Sequence, residues 1–443
     1  MEQLGRASTR AMPYSRTLGQ TVRITAGGLA TAGALVSALP GGYLAALTWF
    51  GLRAAPQTVD HRLKGWVEAS TCRRFAVLIP AHDEEHVISH AIEALRLQRY
   101  PADRFEVHVV ADNCTDRTAD VALATGASVH ERSAPDTPGK GAALNWLTER
   151  VLTGETESSR LLEGVVIIDA DTRVDPEFLA AMNDAFDRGV TAAQGYYAAS
   201  DPAASPSIAL RYAALASRHY LRPLGRSRLG GSIGLFGNGM AFSTELVRDR
   251  RWSGHLVEDA EFQLELLLDG ITVTFVPDAV LRAEMPDTLD GAVTQNQRWE
   301  LGRAQLITRF VPDLLRAAVG RSRHHGVRRR TYLDAATDQL VPPISLLATL
   351  DVAAVGTALV TTAIWPTKTN RVALGTSVLS LLALVTHIFV ALRLVRAPRS
   401  VYRSLMSAPK FVLWKLELLR GIKTNPTEVT WTRTQRNQGG TQP

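Results

Sequence analysis

The stretch from Ile24 to Leu52 carries no charged residue and is long enough to cross a bilayer with some tilt. Two further apolar stretches follow near the other end. Leu340 to Trp365 has a single charge, Asp351, and Val372 to Leu392 has a single titratable group, His387. Three spans is the simplest count. The chain between them, Arg53 to Arg330, is too polar for a membrane interior and must fold as a globular domain. Arg6, Arg10, Arg16 and Arg23 precede the first stretch, but its apolar run is longer than a cleaved signal peptide needs, so it reads as an anchor. A re-entrant hairpin at Pro40-Gly41-Gly42 is the alternative for this segment.

Basic residues orient the later spans. Arg316, Arg321, Arg323, Arg328, Arg329 and Arg330 precede the second, and Arg393, Arg396, Arg399 and Arg403 follow the third. The connection between the two has only Lys368 and Arg371. Positive flanks stay inside, which predicts a cytoplasmic globular domain and C-terminus at the cell membrane. The net charge of +6 comes from arginines clustered beside apolar segments, where anionic lipid headgroups explain them better than nucleic acid does. Two cysteines, Cys72 and Cys114, are too few for a disulfide scaffold or a cysteine zinc site. The chain thus divides into a tail (1–23), a span (24–52), a globular domain (73–300), an interfacial helix with a basic linker (301–330), spans at 340–365 and 372–392, and an interfacial C-terminal segment (404–443).

Within the globular region, short β-branched runs alternate with helical patterns. Phe75–Ile79, Glu106–Ala111, a segment around Val129 and Val165–Ile168 read as strands, with helices at His86–Gln98, after Asp116 and from Gly139-Lys140-Gly141. Asp116 suits an N-cap. Such alternation predicts an α/β fold with a mainly parallel sheet covered on both faces, whose ligands lie beyond the carboxyl ends of the strands. Asp83, Asp112 and the pair Asp169/Asp171 all fall there. Further on, Gly230–Gly239 is glycine-rich enough for a backbone to approach a ligand closely. Glu258–Leu268 reads as a helix, and Leu301–Val319 as a helix lying in the membrane interface. An acid at membrane depth faces protein or water, so Asp351 is expected to line an acceptor or product path.

Asp169-Ala170-Asp171 presents two carboxylates that can hold a hard divalent cation bridging a diphosphate, although either could equally cap a helix. Asp112 could cap the following turn. Lys140, at a helix start between glycines, can meet a phosphate, or can be solvated in a loop. Glu258 and Asp259 at a helix start stabilise its dipole, or one of them serves as a general base; Asp259 is the base in that reading and Glu258 its support. Arg298 offers a cation for phosphate and Trp299 a face for a sugar ring, with Gln295 one turn earlier; a tryptophan near a membrane is also a common interfacial anchor.

Taken in order, Asp112, Asp169-Ala170-Asp171, Glu258-Asp259 and Gln295-Asn296-Gln297-Arg298-Trp299 resemble the D, DxD, ED and QxxRW set of membrane-bound family 2 glycosyltransferases, the group containing cellulose, hyaluronan and poly-N-acetylglucosamine synthases. The resemblance implies a GT-A fold, a UDP-sugar donor, Mg or Mn, and inversion at the anomeric carbon. It implies that Pro80, Asp83 and Glu85 belong to the nucleotide loop and that Asp112 contacts uracil. Lys140 matches the lysine of a GKGxALN stretch. Asp169 and Asp171 match the diphosphate and metal site, Asp259 the base, and Gln295, Arg298 and Trp299 the diphosphate and acceptor contacts. Trp431–Arg436 resembles a C-terminal segment that folds over the donor. Asp83 stands where the family commonly has Asn, and Val257 where it has Thr. The function implied is extension of a β-linked glycan at the cytoplasmic face, on a glycan or lipid-linked acceptor, with oligomers or another protein needed for secretion. Transfer of one sugar to a lipid or membrane-presented acceptor is the alternative, and a non-catalytic nucleotide-binding scaffold is a third reading.

Overall fold

The structure, a computed structural model, describes residues 14–54, 72–158, 161–255, 257–285, 293–320 and 326–410. The segments expected at 1–13 and 411–443, Trp431–Arg436 included, lie outside the described residues. In chain order the elements are α1 Tyr14–Ala54, β1 Phe75–Ala81, α2 Ile88–Arg96, β2 Phe105–Asp112, α3 Thr118–Ala124, β3 Ser128–Arg132, α4 Lys140–Ser158, β4 Gly164–Ile167, β5 Thr172–Val174 and α5 Phe178–Asp187. Then come β6 Ala192–Ala199, α6 Pro206–Leu215, a π-helical turn Ala216–Leu221, α7 Arg222–Arg228, β7 Met240–Ser243, α8 Thr244–Arg248, α9 Glu258–Leu268 and β8 Thr274–Ala283. The last are α10 Val293–Val319, α11 Arg329–Leu340, α12 Ile344–Ile364, α13 Lys368–Leu394 and α14 Arg399–Ser404.

The chain divides into two compact units, one made of residues 46–341 and 387–443, the other of 1–45 and 342–386. The first holds an eight-stranded sheet in the order β3-β2-β1-β4-β7-β6-β8-β5. β3, β2, β1 and β4 run parallel, as the strand–helix alternation predicts. Beyond β4 the sheet becomes mixed: β7 is antiparallel to both β4 and β6, and β5 is antiparallel to β8. Residue alternation places the core. Ala76 and Leu78 of β1 face a cluster with Leu144 and Leu147 of α4, while Phe75, Val77 and Ile79 face Ile88, Ile92 and Leu95 of α2 and Phe178 and Met182 of α5. Both faces are covered, so the open positions are at the strand ends.

α10 begins at Val293, so the expected interfacial helix and the segment Gln295–Trp299 form one continuous helix. Its Leu306, Phe310 and Leu314 pack with Leu264 and Leu267 of α9 and with Tyr332, Ala335 and Ala336 of α11. Asp116 does not occupy the position immediately before α3. It sits two residues ahead of the helix and accepts from the Thr118 amide at 2.9 Å, doing the capping work one step early because Arg117 intervenes.

In the other unit, α1, α12 and α13 each contain a segment long and apolar enough to cross a membrane. α1 runs unbroken through Pro40. Asp351 is fully buried. Its Oδ1 accepts from Ser380 Oγ of α13 at 3.0 Å, and that hydroxyl also reaches the Ser37 carbonyl of α1 at 2.8 Å. The acid therefore faces helix neighbours and joins three helices, in place of the path expected from sequence.

Candidate active site

Two groups of polar residues gather at the carboxyl ends of the parallel strands. The first joins the loops after β1 and β2. Asp83 and Asn113 both hold left-handed backbone conformations, with φ of 55° and 53°, which short polar side chains tolerate best. Asp83 Oδ1 accepts from the Thr115 amide at 2.7 Å and the Asp116 amide at 3.3 Å. In return Asp116 accepts from the Glu85 amide at 3.1 Å, and Glu85 accepts from the Arg117 amide at 3.2 Å. His82 Nδ1 lies 2.7 Å from the Asp112 carbonyl oxygen. Asp112 itself is buried, and its Oδ1 accepts from Arg132 at 2.5 Å; Arg132 also donates to Thr137 Oγ1 at 2.8 Å. Pro80 lies in β1 just before this loop. The carboxylates here fasten one loop to another.

The second group forms where α4, the end of β4, the glycine loop and α9 meet. Within Gly139–Asn145, Lys140, Gly141 and Asn145 each have a distinct physical reason. A Cβ on Gly141 would stand 2.3 Å from the Ser253 carbonyl oxygen, so only glycine lets α4 approach that strand of chain. Asn145 then pairs with the Trp252 backbone in both directions, at 2.8 and 2.9 Å. Lys140 is left to face the site: its ammonium donates to Asp169 Oδ1 and, at 2.6 Å, to the Gly237 carbonyl. Gly237 has φ 75°, and a Cβ there would be 3.2 Å from Asp259 Oδ2 and 3.7 Å from Lys140 Nζ. Lys140, Asp169, Gly237 and Asp259 thus border one small space.

That space is built from behind by side chains no motif announced. Gln194, fully buried in β6, donates to the Asn238 carbonyl at 2.7 Å and accepts from the Phe236 amide at 3.0 Å. Asn238, equally buried, accepts from the Asp169 amide at 3.1 Å and donates to Thr172 Oγ1 at 2.7 Å. Tyr197 lies beside Asp169 and Asp171, and its hydroxyl is pushed far above the usual range by burial and by those two charges. His219 is stacked between Tyr197 and Phe236, with ring centroids at 5.2 and 4.0 Å. Burial, and then Arg218 next to it, depress His219 to about 3, so it is a neutral ring that donates Nδ1–H to the Tyr197 carbonyl at 3.1 Å. The aromatic spacing across β6, the π turn and the glycine loop leaves no local sequence signal, since the partners lie far apart in the chain.

Electrostatics single out Glu258 and Asp259. Burial, then the charge of Asp259, raises Glu258 to about 7, with Lys140 opposing. Asp259 is raised as well, by burial, against the pull of the α9 amides, Lys140 and Arg218. On Lys140 burial acts downward, but Asp169, Glu258 and Asp259 outweigh it and hold the ammonium charged. Glu261, one turn on, is buried and tied to Ser253 at 2.5 Å, to His255 at 2.6 Å and to Arg309 of α10. It clamps two helices together. Val257 packs its methyls on α10, where a Cβ on Gly302 would meet them at 2.6 Å, which accounts for an apolar residue before the two acids. Trp299 is 44% exposed on the same helix. The side chains of Gln295 and Arg298 lie outside the described residues.

A hard divalent ion needs anionic oxygens open to solvent. Asp169, whose side chain keeps 33% of its exposure, and Asp171 meet that need at the end of β4, with a lysine ammonium already held by Asp169. The ligand atoms of Asp83, Cys114 and Asp116 also come within 4.8 Å of one another. That trio fits poorly. Burial raises the Cys114 thiol, leaving it protonated, and both carboxylates are engaged by loop amides.

The profile of the family described as "Glycosyltransferase like family 2" matches residues 73–302, more than half of the chain. The chain belongs to that family, and its mixed sheet with flanking long apolar helices is a GT-A domain of this class. A probable glycosyltransferase, YdaM of Bacillus subtilis, is 26% identical over 284 residues, which is 58% of this chain and 62% of that protein. The match therefore spans less than two thirds of that relative's length. Among solved structures, the mannosyltransferase PcManGT from Pyrobaculum calidifontis, in complex with GDP-Man and Mn2+, aligns over 81% of this chain and 99% of its own at 20% identity and a TM-score of 0.45. Glucosyl-3-phosphoglycerate synthase from Mycobacterium tuberculosis, in complex with Mn2+, UDP and glucosyl-3-phosphoglycerate, aligns over 58% of this chain and 85% of its own at 22% identity and a TM-score of 0.37.

Proposed function

We propose that this protein is a membrane-bound, inverting glycosyltransferase that takes a sugar from a UDP-sugar and transfers it to an acceptor hydroxyl at the cytoplasmic face of the cell membrane. The observation that carries this reading is the convergence of Lys140, Asp169 and Asp259 on Gly237. Asp169 and Asp171 would hold the Mg or Mn ion, whose charge, when it is bound, would stabilise the negative charge developing on the departing diphosphate. Lys140 adds a cation on the same side. Asp259 accepts the proton of the acceptor hydroxyl while its oxygen bonds to the anomeric carbon and the bond from that carbon to the phosphate oxygen breaks, releasing UDP. One base suffices because the leaving group departs as a stabilised anion. Trp299, Gln295 and Arg298 belong to the acceptor and diphosphate side, and Pro80, Asp83, Glu85 and Asp112 to the nucleotide side.

The apolar segments of α1, α12 and α13 and the arginines that flank the last two support the membrane setting. Extension of a β-linked glycan and a single transfer to a lipid-linked acceptor use the same chemistry, and product size separates them. The test is UDP release by the full-length protein in nanodiscs over a panel of UDP-sugars with Mg or Mn. Metal-dependent release with one donor, absent in Asp259→Asn, is the expected result. UDP binding without turnover for any donor, with lipids and candidate acceptors present, would contradict it and favour a scaffold.

A further inference from the structure

Three arginines follow one another at four-residue intervals, Arg218 on the π-helical turn and Arg222 and Arg226 on α7. The last two are neutralised by α11. Arg222 donates to Asp338 at 2.5 Å, and Arg226 donates to Asp334 and to Asp338, both at 2.9 Å. Asp338 is held down near 2 by these partners against its burial. Arg218 makes no such contact: among the described residues its guanidinium donates no hydrogen bond, and Asp338, Asp259 and Glu300 act on it only through their charge. A π turn is an uncommon device that re-aims side chains within a helix and is found mostly at functional sites. Here its position is fixed by His219, stacked at 4.0 Å on Phe236, the residue before Gly237. Arg218 is therefore carried close enough to the space that Gly237, Lys140 and Asp259 border for its charge to act on Asp259.

We propose that the acceptor carries a negative charge, a phosphoryl group, beside its nucleophilic hydroxyl, and that Arg218 binds that charge. The inference rests on the assignment of Asp259 as the base. A guanidinium with unused donors, in a concave site already crowded by Arg222 and Arg303, is stabilised by an incoming anion. Lys140 already serves the donor side through Asp169. Arg303, one turn after Trp299, uses one nitrogen to cap the end of α11 at the Gln339 and Val341 carbonyls, 2.9 and 2.7 Å away, and adds positive potential on the Arg218 side. Phosphoryl groups reach such a site from a soluble metabolite or from a lipid headgroup, and both present the same chemistry.

The experiment uses full-length protein in phosphatidylcholine nanodiscs with saturating UDP and Mn. Binding of glycerol 3-phosphate is compared with glycerol, and binding of phosphatidylglycerol doped into the disc with diacylglycerol. Saturable binding of one anionic probe, weakened roughly tenfold in Arg218→Gln and recovered in Arg218→Lys with UDP affinity unchanged, is the expected result. Preference for glycerol 3-phosphate identifies a soluble acceptor, and preference for phosphatidylglycerol a headgroup. Neutral probes binding as well as anionic ones, or Arg218→Gln weakening UDP instead, would overturn the proposal and leave the proposed transfer reaction standing. Absence of UDP binding in the unaltered protein would overturn both.

Discussion

The two polar groups at the strand ends are built from the same residue types and behave differently. Around the loops after β1 and β2, Asp83, Glu85, Asp112 and Asp116 are each answered by a backbone amide or by Arg132. Around Gly237, Asp259 and Glu258 share a crowded space with one ammonium, and both carboxyls are pushed upward. Where charges are satisfied by the fold, they position loops. Where they are arranged against a gap, the fold carries a cost that a ligand relieves. Motif matching alone weights all of these acids equally.

The largest effect that could break this contrast is at Asp259. Asp259→Asn keeps the shape and removes the proposed base, so turnover should fall by about 10^2- to 10^4-fold while UDP still binds, checked by UDP release beside calorimetry. Lys140→Met should weaken donor binding by tenfold or so and shift the pH response. The sign of that response follows from the acids. The proposed base Asp259 acts when ionised, and burial raises it together with Glu258, the latter to about 7, so turnover should rise with pH and level off once both acids are ionised. Lys140 favours the ionised acids, hence its removal moves the rise to higher pH. At the other group the expected effects are on stability. Arg132→Leu strands Asp112 in a buried setting and should lower unfolding free energy by about 3 kcal/mol, read from thermal or denaturant melts. Asp83→Asn should change turnover and stability least, within about 0.5 kcal/mol, because Asn tolerates the same backbone and its carbonyl still accepts the Thr115 amide.

In this last case the charge Asp83 brings, where the resemblance leads to an expected Asn, is answered by the amides of Thr115 and Asp116. Much of the fold was legible because β1 and β4 are apolar runs with an acid two residues beyond, and β2 closes on the apolar run Val109–Ala111 before Asp112, the pattern of buried parallel strands. β6, β7 and β8 were not, since Ala192–Ala199 is rich in alanine and β7 is only four residues long and paired antiparallel far along the chain. The order of the acids in the chain led to the proposed roles of Asp169 and Asp259, and both lie beside Gly237 or Lys140 in the fold. Gln194, Asn238, His219 and Arg132 could not be read in this way, because each reaches a key partner 20 or more residues away in the chain. Asp351 was legible as unusual, but whether a membrane-depth acid faces a path or a neighbouring helix depends on Ser380, which sequence spacing does not connect to it.

The most direct test is to measure UDP release and UDP affinity together in the unaltered protein, Asp259→Asn and Asp83→Asn. The three proteins should bind UDP with similar affinity, and Asp259→Asn alone should be silent. Turnover retained in Asp259→Asn, or lost equally in Asp83→Asn, would contradict the division between acids that hold loops and acids that do chemistry.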